Sequence, residues 1–132
     1  MAGVTVRYIV ADVDAAIDFY RDQLGFAEVM HPAPTFAMLR RGDLRLLLSA
    51  PSPQGGGGQV LDDGTRPEPG GWNRFSVEVQ DVRREADRLR GCGVRLRTGV
   101  IEGIGGRQVL VEDPSGNLVE LFEPTIPEAR QS

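Results

Sequence analysis

A chain of 132 residues with 40% hydrophobic content suits one domain, and a formal charge of −4 argues against general binding to nucleic acid or an anionic membrane. No stretch approaches the roughly 18 apolar residues of a membrane span, and no signal-like apolar run opens the chain, so a soluble cytoplasmic protein is expected. All 15 basic residues are arginine, which excludes lysine chemistry; a single cysteine and a single histidine exclude an intrachain disulfide and any two-histidine or cysteine-rich metal site within one protomer.

The alternating run Thr5-Val6-Arg7-Tyr8-Ile9-Val10 predicts a strand. Asp12 follows as a helix cap, and Val13, Ala16, Ile17, Tyr20 and Leu24 recur at helical spacing until Gly25, which ends the helix without the penalty a side chain would meet. Strands are then expected over Phe26–Met30, Thr35–Arg40 and Leu44–Leu48, with Gly42-Asp43 turning the last pair. His31 lies in His-Pro-Ala-Pro, read as a loop; a surface or rim histidine is expected, with a role as acid, base or lone metal ligand as the alternative.

Residues 49–71 carry seven glycines and four prolines and no helical or strand period, which predicts a connector or long loop. Gly55–Gly58 lack the GxxxxGK[ST] context of a phosphate loop and read as linker. Arg66–Trp72, with the large apolar Trp72, is the part that could close over a pocket as a lid.

The second half repeats the plan. Arg74–Val79 alternates, Asp81 caps, and Val82, Ala86 and Leu89 form a helical stripe before Gly91-Cys92-Gly93. Strands are expected over Val94–Arg97, Gln108–Glu112 and Leu118–Phe122, the last two joined by the turn Asp113-Pro114-Ser115-Gly116-Asn117. Asp12 to Gly25 spans 13 positions and Asp81 to Gly93 spans 12, so the chain reads as an internal duplication. The expectation is one α+β domain over residues 1–132, built of two βαβββ modules at about 4–48 and 72–124 joined by the Gly/Pro-rich connector 49–71.

Strand parity separates the side chains. Val6, Tyr8 and Val10, and in the repeat Phe75, Val77 and Val79, make apolar faces that should meet the helices. Thr5, Arg7, Arg74, Ser76 and Glu78 point the other way, and Glu120 shares a face with Leu118 and Phe122. A polar set aimed at a concave side predicts a pocket, to which Gln108 adds an amide and Phe36, Met38 and Trp72 add apolar wall or lid contacts. The arginine-rich run from Arg83 to Arg97 is interrupted by Glu85 and Asp87 and reads as a solvated helix face. Cys92, between two glycines with no triad partner near it, reads as inert.

The runs DVDAAIDFYRDQLGF at 12–26 and DPSGNLVELFEP at 113–124, with the doubled plan over roughly residues 4–124, resemble the vicinal oxygen chelate superfamily of glyoxalases, extradiol dioxygenases, fosfomycin-resistance enzymes and bleomycin-binding resistance proteins. The resemblance implies a cup-shaped mixed sheet in which metal-binding members take ligands from the first and last strand of each half. Those positions fall at Thr5, Arg74, near Leu46 and at Glu120, and only Glu120 suits the role. Arg74 is a permanent cation without a free lone pair, so an arginine–carboxylate pair is expected in place of a metal, rather than an ordinary surface ion pair. The leading reading is a metal-free, cofactor-free protein that binds and sequesters an amphipathic small molecule such as an antibiotic or secondary metabolite, as a homodimer. The ligand set is Thr5, Arg7, Phe36, Met38, Trp72, Arg74, Ser76, Glu78, Gln108 and Glu120. The alternatives are a glyoxalase- or dioxygenase-like metalloenzyme, and a metal-free lyase or isomerase using Glu120 with Arg74.

Overall fold

A computed structural model describes residues 3–53 and 56–130, which divide into two compact units. The first unit comprises the chain up to Gly70 together with Pro114–Asn117; the second comprises Gly71–Asp113 and the chain from Leu118 onward. The fold is α+β, with one helix and one four-stranded mixed sheet in each unit.

In the first unit the order is β1 (Val4–Ile9), α1 (Val13–Leu24), β2 (Ala27–Ala33), β3 (Phe36–Arg41) and β4 (Leu44–Ser49). Across the sheet the strands run β1-β4-β3-β2, with β1 parallel to β4 and the other pairs antiparallel. The Asp12 carboxylate accepts from the Ala15 N–H at 3.1 Å and so satisfies an orphan donor of the first turn. Gly25, at φ 73°, closes the helix in the left-handed conformation. Registers Val6–Leu46–Leu39 and Tyr8–Leu48–Ala37 line the helix-facing side of the sheet. Against them lie Ala16, Ile17, Tyr20 and Leu24, all buried. Each fully buried leucine in this layer contributes about 1.5–3 kcal/mol relative to exposure. Tyr20 meets the edges of Phe19 and Phe26 at centroid distances of 5.0 and 5.5 Å.

His31 and Pro32 stand within β2 and not in a loop, which corrects the sequence expectation. The physical reason is the edge position: β2 pairs only with β3, and its register slips between Glu28 and Met30 and again before Ala33, so a residue lacking an N–H is tolerated. The Pro114–Asn117 turn belongs to this unit through its hydrogen bonds. Ser115 Oγ accepts from the Ala11 N–H at 2.9 Å, Asn117 Nδ2 donates to the Ile9 carbonyl at 2.8 Å, and Asn117 Oδ1 accepts from the Gly70 N–H at 2.7 Å.

In the second unit the order is β5 (Ser76–Glu78), α2 (Val82–Gly91), β6 (Ile101–Glu102), β7 (Gly106–Glu112) and β8 (Leu118–Pro124), followed by a short 3-10 turn at Pro127–Ala129. The sheet order β5-β8-β7-β6, with β5 parallel to β8, reproduces the topology of the first unit. Asp81 caps α2 by accepting from the Arg84 N–H at 3.0 Å, and Glu123 accepts from the Val82 N–H at 2.9 Å. Val82, Ala86 and Leu89 pack on the sheet face carrying Val77, Val109, Val119 and Leu121, all buried.

Two second-half expectations are corrected. Val94–Arg97 makes only a single bridge, Leu96 to Val111, and the fourth strand is instead Ile101–Glu102. Arg97 N donates to the Leu110 carbonyl, but the Leu110 N–H goes to Thr98 Oγ1 at 3.2 Å, a side chain taking the place of a ladder bond as the chain turns away. Arg74 and Phe75 also precede β5 rather than open it, although the Phe75 carbonyl accepts from the Glu120 N–H at 3.0 Å.

The connector is not a bare linker where it leaves the first unit. Ser52 bridges Gln59, Ser49 Oγ donates to the Gly56 carbonyl at 2.7 Å, and Gly57 lies against the Arg7 guanidinium, which a β-carbon there would displace. Gly55 of the glycine run lies outside the described residues. No helix among the described residues is long and apolar enough to cross a membrane.

Candidate ligand-binding faces

The pleat of the second sheet places Val77, Val109, Val119 and Leu121 toward α2, so the residues between them occupy the opposite face. Ser76 stands opposite Glu120, and Phe122 stands between Glu78 and Gln108 in the ladder. Arg74, two residues before the strand, reaches back across this face. Its Nε and Nη2 each lie 3.1 Å from Glu120 Oε1, and Nη1 donates to the Trp72 carbonyl at 3.3 Å. With the Gln108 amide oriented by its hydrogen bonds, its nitrogen donates to Glu120 Oε1 at 2.8 Å and Oε2 at 3.2 Å. The Glu120 carboxylate is thereby engaged on both oxygens by a cation and an amide.

Its side chain is 17% exposed and that of Arg74 is 28% exposed, so the pair is screened less than a surface ion pair. Of the sequence-predicted residues, Arg74, Ser76, Glu78, Gln108 and Glu120 therefore share one neighbourhood.

Trp72 adjoins this group through its carbonyl and is 68% exposed. Arg97 Cζ lies over its ring at 5.7 Å from the centroid, within cation–π range. Arg97 is held from behind by Glu112, Nε to Oε2 at 2.8 Å, while Arg95 approaches Glu112 at 3.8 Å. Sequence reasoning assigned Arg97 to a solvated basic run and passed over Glu112. Arg83, Arg88 and Arg90 do form exposed ion pairs, with Glu102, Glu85 and Asp87. The available signal was parity: Glu112 is in phase with Gln108 along β7.

In the first unit the corresponding face carries Thr5 opposite Arg45, Arg7 opposite Leu47 and Met38 opposite Leu47, with Phe36 opposite Ser49. Arg7, Phe36 and Met38 thus lie together and Thr5 lies further along β1. The register also corrects the placement of the first half's last-strand position. Leu47 pairs with Arg7 as Glu120 pairs with Ser76, so Leu47 is its counterpart; Leu46 is fully buried on the helix side. His31 has its Nε2 at 3.6 Å from Asp14 in the first turn of α1 and without a hydrogen-bond partner among the described residues. Cys92 is exposed at the end of α2.

Metal-binding chemistry requires converging lone pairs, usually from three or more protein ligands. Among the described residues no group of three or more His, Cys, Asp or Glu is placed to hold an ion. The groups in contact with Glu120 are a guanidinium and an amide nitrogen, both donors, and a divalent cation there would face the charge of Arg74. The residues around Glu120 do not fit a metal ion.

No curated protein matches the chain by sequence. Among solved structures, a superfamily member from Sphaerobacter thermophilus DSM 20745 is 26% identical, with a TM-score of 0.73 and coverage of 93% of this chain and 97% of the other. The bleomycin-binding protein of the bleomycin producer Streptomyces verticillus, complexed with copper(II)-bleomycin, is 27% identical, with a TM-score of 0.61 and coverage of 93% and 96%. Lactoylglutathione lyase from Agrobacterium tumefaciens is 25% identical, with a TM-score of 0.70 and coverage of 92% of each chain. The family profile described as "Glyoxalase/Bleomycin resistance protein/Dioxygenase superfamily" matches residues 4–121. The duplicated topology, the helix caps and this match over most of the length lead to one conclusion: the chain belongs to the glyoxalase/bleomycin resistance protein/dioxygenase superfamily.

Proposed function

We propose that the protein binds an amphipathic small molecule, such as an antibiotic or another secondary metabolite, and withholds it by sequestration without a metal ion. The observation that carries this reading is the engagement of Glu120 by Arg74 and Gln108, which turns the position of a metal-ligating carboxylate into a neutral, hydrogen-bonded pair. Similarity to a bleomycin-binding protein supports the ligand class. Ligand contacts in the second unit are Trp72, Arg74, Ser76, Glu78, Gln108 and Glu120; those in the first are Thr5, Arg7, Phe36 and Met38. The chain acts as one cytoplasmic domain of two modules and as a homodimer.

A metalloenzyme is the second reading, favoured by the similarity to lactoylglutathione lyase. Native mass spectrometry of untagged protein, with a panel of amphipathic metabolites, tests both together with the oligomeric state. Retention of an unmodified small molecule by a dimer supports sequestration. Near-stoichiometric zinc, nickel, iron or manganese that disappears in Glu120→Ala overturns it. Turnover of a bound molecule that is lost in Glu120→Gln or Arg74→Ala replaces sequestration by metal-free lyase or isomerase chemistry.

A further inference from the structure

The second unit contains an aromatic surface that is prepared on one side and open on the other. Trp72 is the single tryptophan of the chain, and 68% exposure is unusual for a side chain of its apolar area. It is not a loose surface ring. Its carbonyl accepts from Arg74 Nη1, and one ring face is taken by the Arg97 guanidinium, itself pinned by Glu112 at 2.8 Å. The ion pair and the cation–π contact run Glu112–Arg97–Trp72 and hold one face of the indole, while the Trp72 carbonyl is tied to Arg74 and through it to Glu120. Holding a ring in place before a ligand arrives removes part of the ordering cost of binding.

Resting on the binding reading above, we propose that the uncovered face of Trp72 is a stacking platform for a planar aromatic or heteroaromatic ring, and that Arg97 sets its charge preference. A cation already occupies one side of the indole quadrupole, so a second cation on the other side meets the repulsion of Arg97 through the ring. A neutral or anionic ring meets none. Glu112, ion-paired with Arg97, moderates this field. The ligand is therefore a flat, uncharged or acidic aromatic molecule, and Arg97 is a specificity-determining residue although it need not touch the ligand.

One congeneric series isolates the effect: 9-anthracenemethanol, 9-anthracenecarboxylate and 9-anthracenemethylammonium share a ring system and differ in charge. Because the chain has one tryptophan, the indole N–H gives a single cross-peak in the spectrum of 15N-labelled full-length protein. The neutral and anionic probes should shift that cross-peak saturably, and the cationic probe should bind about fivefold more weakly, in keeping with a screened charge–charge term. Arg97→Gln should bring the anionic and cationic probes within about twofold of each other. Trp72→Leu should abolish binding by calorimetry, with the amide spectrum reporting that the fold persists.

The proposal is overturned if the cross-peak does not move with any of the three probes, if the cation binds as tightly as the anion, or if the charge preference survives Arg97→Gln. Anthracene binding that persists in Trp72→Leu also overturns it. Failure of the sequestration reading looks different: metal or turnover appears while the probes still stack on Trp72. A retained metabolite with an unmoved indole cross-peak defeats only the platform.

Discussion

Removing the Arg74 guanidinium is the most direct test of the pair around Glu120. In Arg74→Ala the carboxylate, 17% exposed in the intact pair, keeps only Gln108 as a partner. Exposed ion pairs are worth about 0–1 kcal/mol and breaking a fully buried one costs about 3–5 kcal/mol. With its partners 28% and 17% exposed, this pair falls between those limits, and a loss of about 1.5 kcal/mol is expected. At the scale of this chain that corresponds to a fall of roughly 5 °C in the melting temperature.

Glu120→Gln should cost less, under about 1 kcal/mol, because a freed arginine reaches water more easily than a strand-borne carboxylate does. The two changes made together should show a coupling of about 1 kcal/mol in a double-mutant cycle followed by urea unfolding. Single effects that simply add, or an Arg74→Ala midpoint equal to wild type, would show that the guanidinium and carboxylate meet without holding each other.

Further outcomes follow from the packing. Leu46→Ala should cost about 2–5 kcal/mol and Leu47→Ala under about 1.5 kcal/mol, since Leu46 is fully buried on the helix side and Leu47 is half-buried on the opposite face; equal losses in denaturant titrations would contradict the register. Gly106→Ala should destabilise by about 2 kcal/mol or more, because a β-carbon there runs into the Glu123 carbonyl and the Phe122 ring. An unchanged melting curve would refute that contact.

Local chemistry made much of the fold legible. Asp12, Gly25 and Asp81 mark helix ends through hydrogen bonds and backbone angles set within a few residues, and both helices lie where those marks place them. The central strands β3, β4, β7 and β8 were readable because both faces have distinct tasks. The edge strands β2 and β6 were not. Pro32 gives no local sign that an irregular edge will accommodate it, and Ile101–Glu102 is too short to show a period. At the candidate site, Arg74 and Glu120 could be paired on paper because the family resemblance puts both at ligand positions. Arg97, Glu112 and Trp72 meet across sequence separations that no period records, and a one-residue slip of parity was enough to put Leu46 where Leu47 stands.

The turn at Pro114–Asn117 makes the first unit discontinuous along the chain. A peptide ending at Gly70 would forfeit the caps on the Ile9 carbonyl and on the Ala11 and Gly70 N–H groups, all supplied from more than forty residues downstream. The first half is therefore not self-contained: a tetrapeptide lying between β7 and β8 in the chain closes its backbone. A cut at the connector would strand those polar groups rather than free a module.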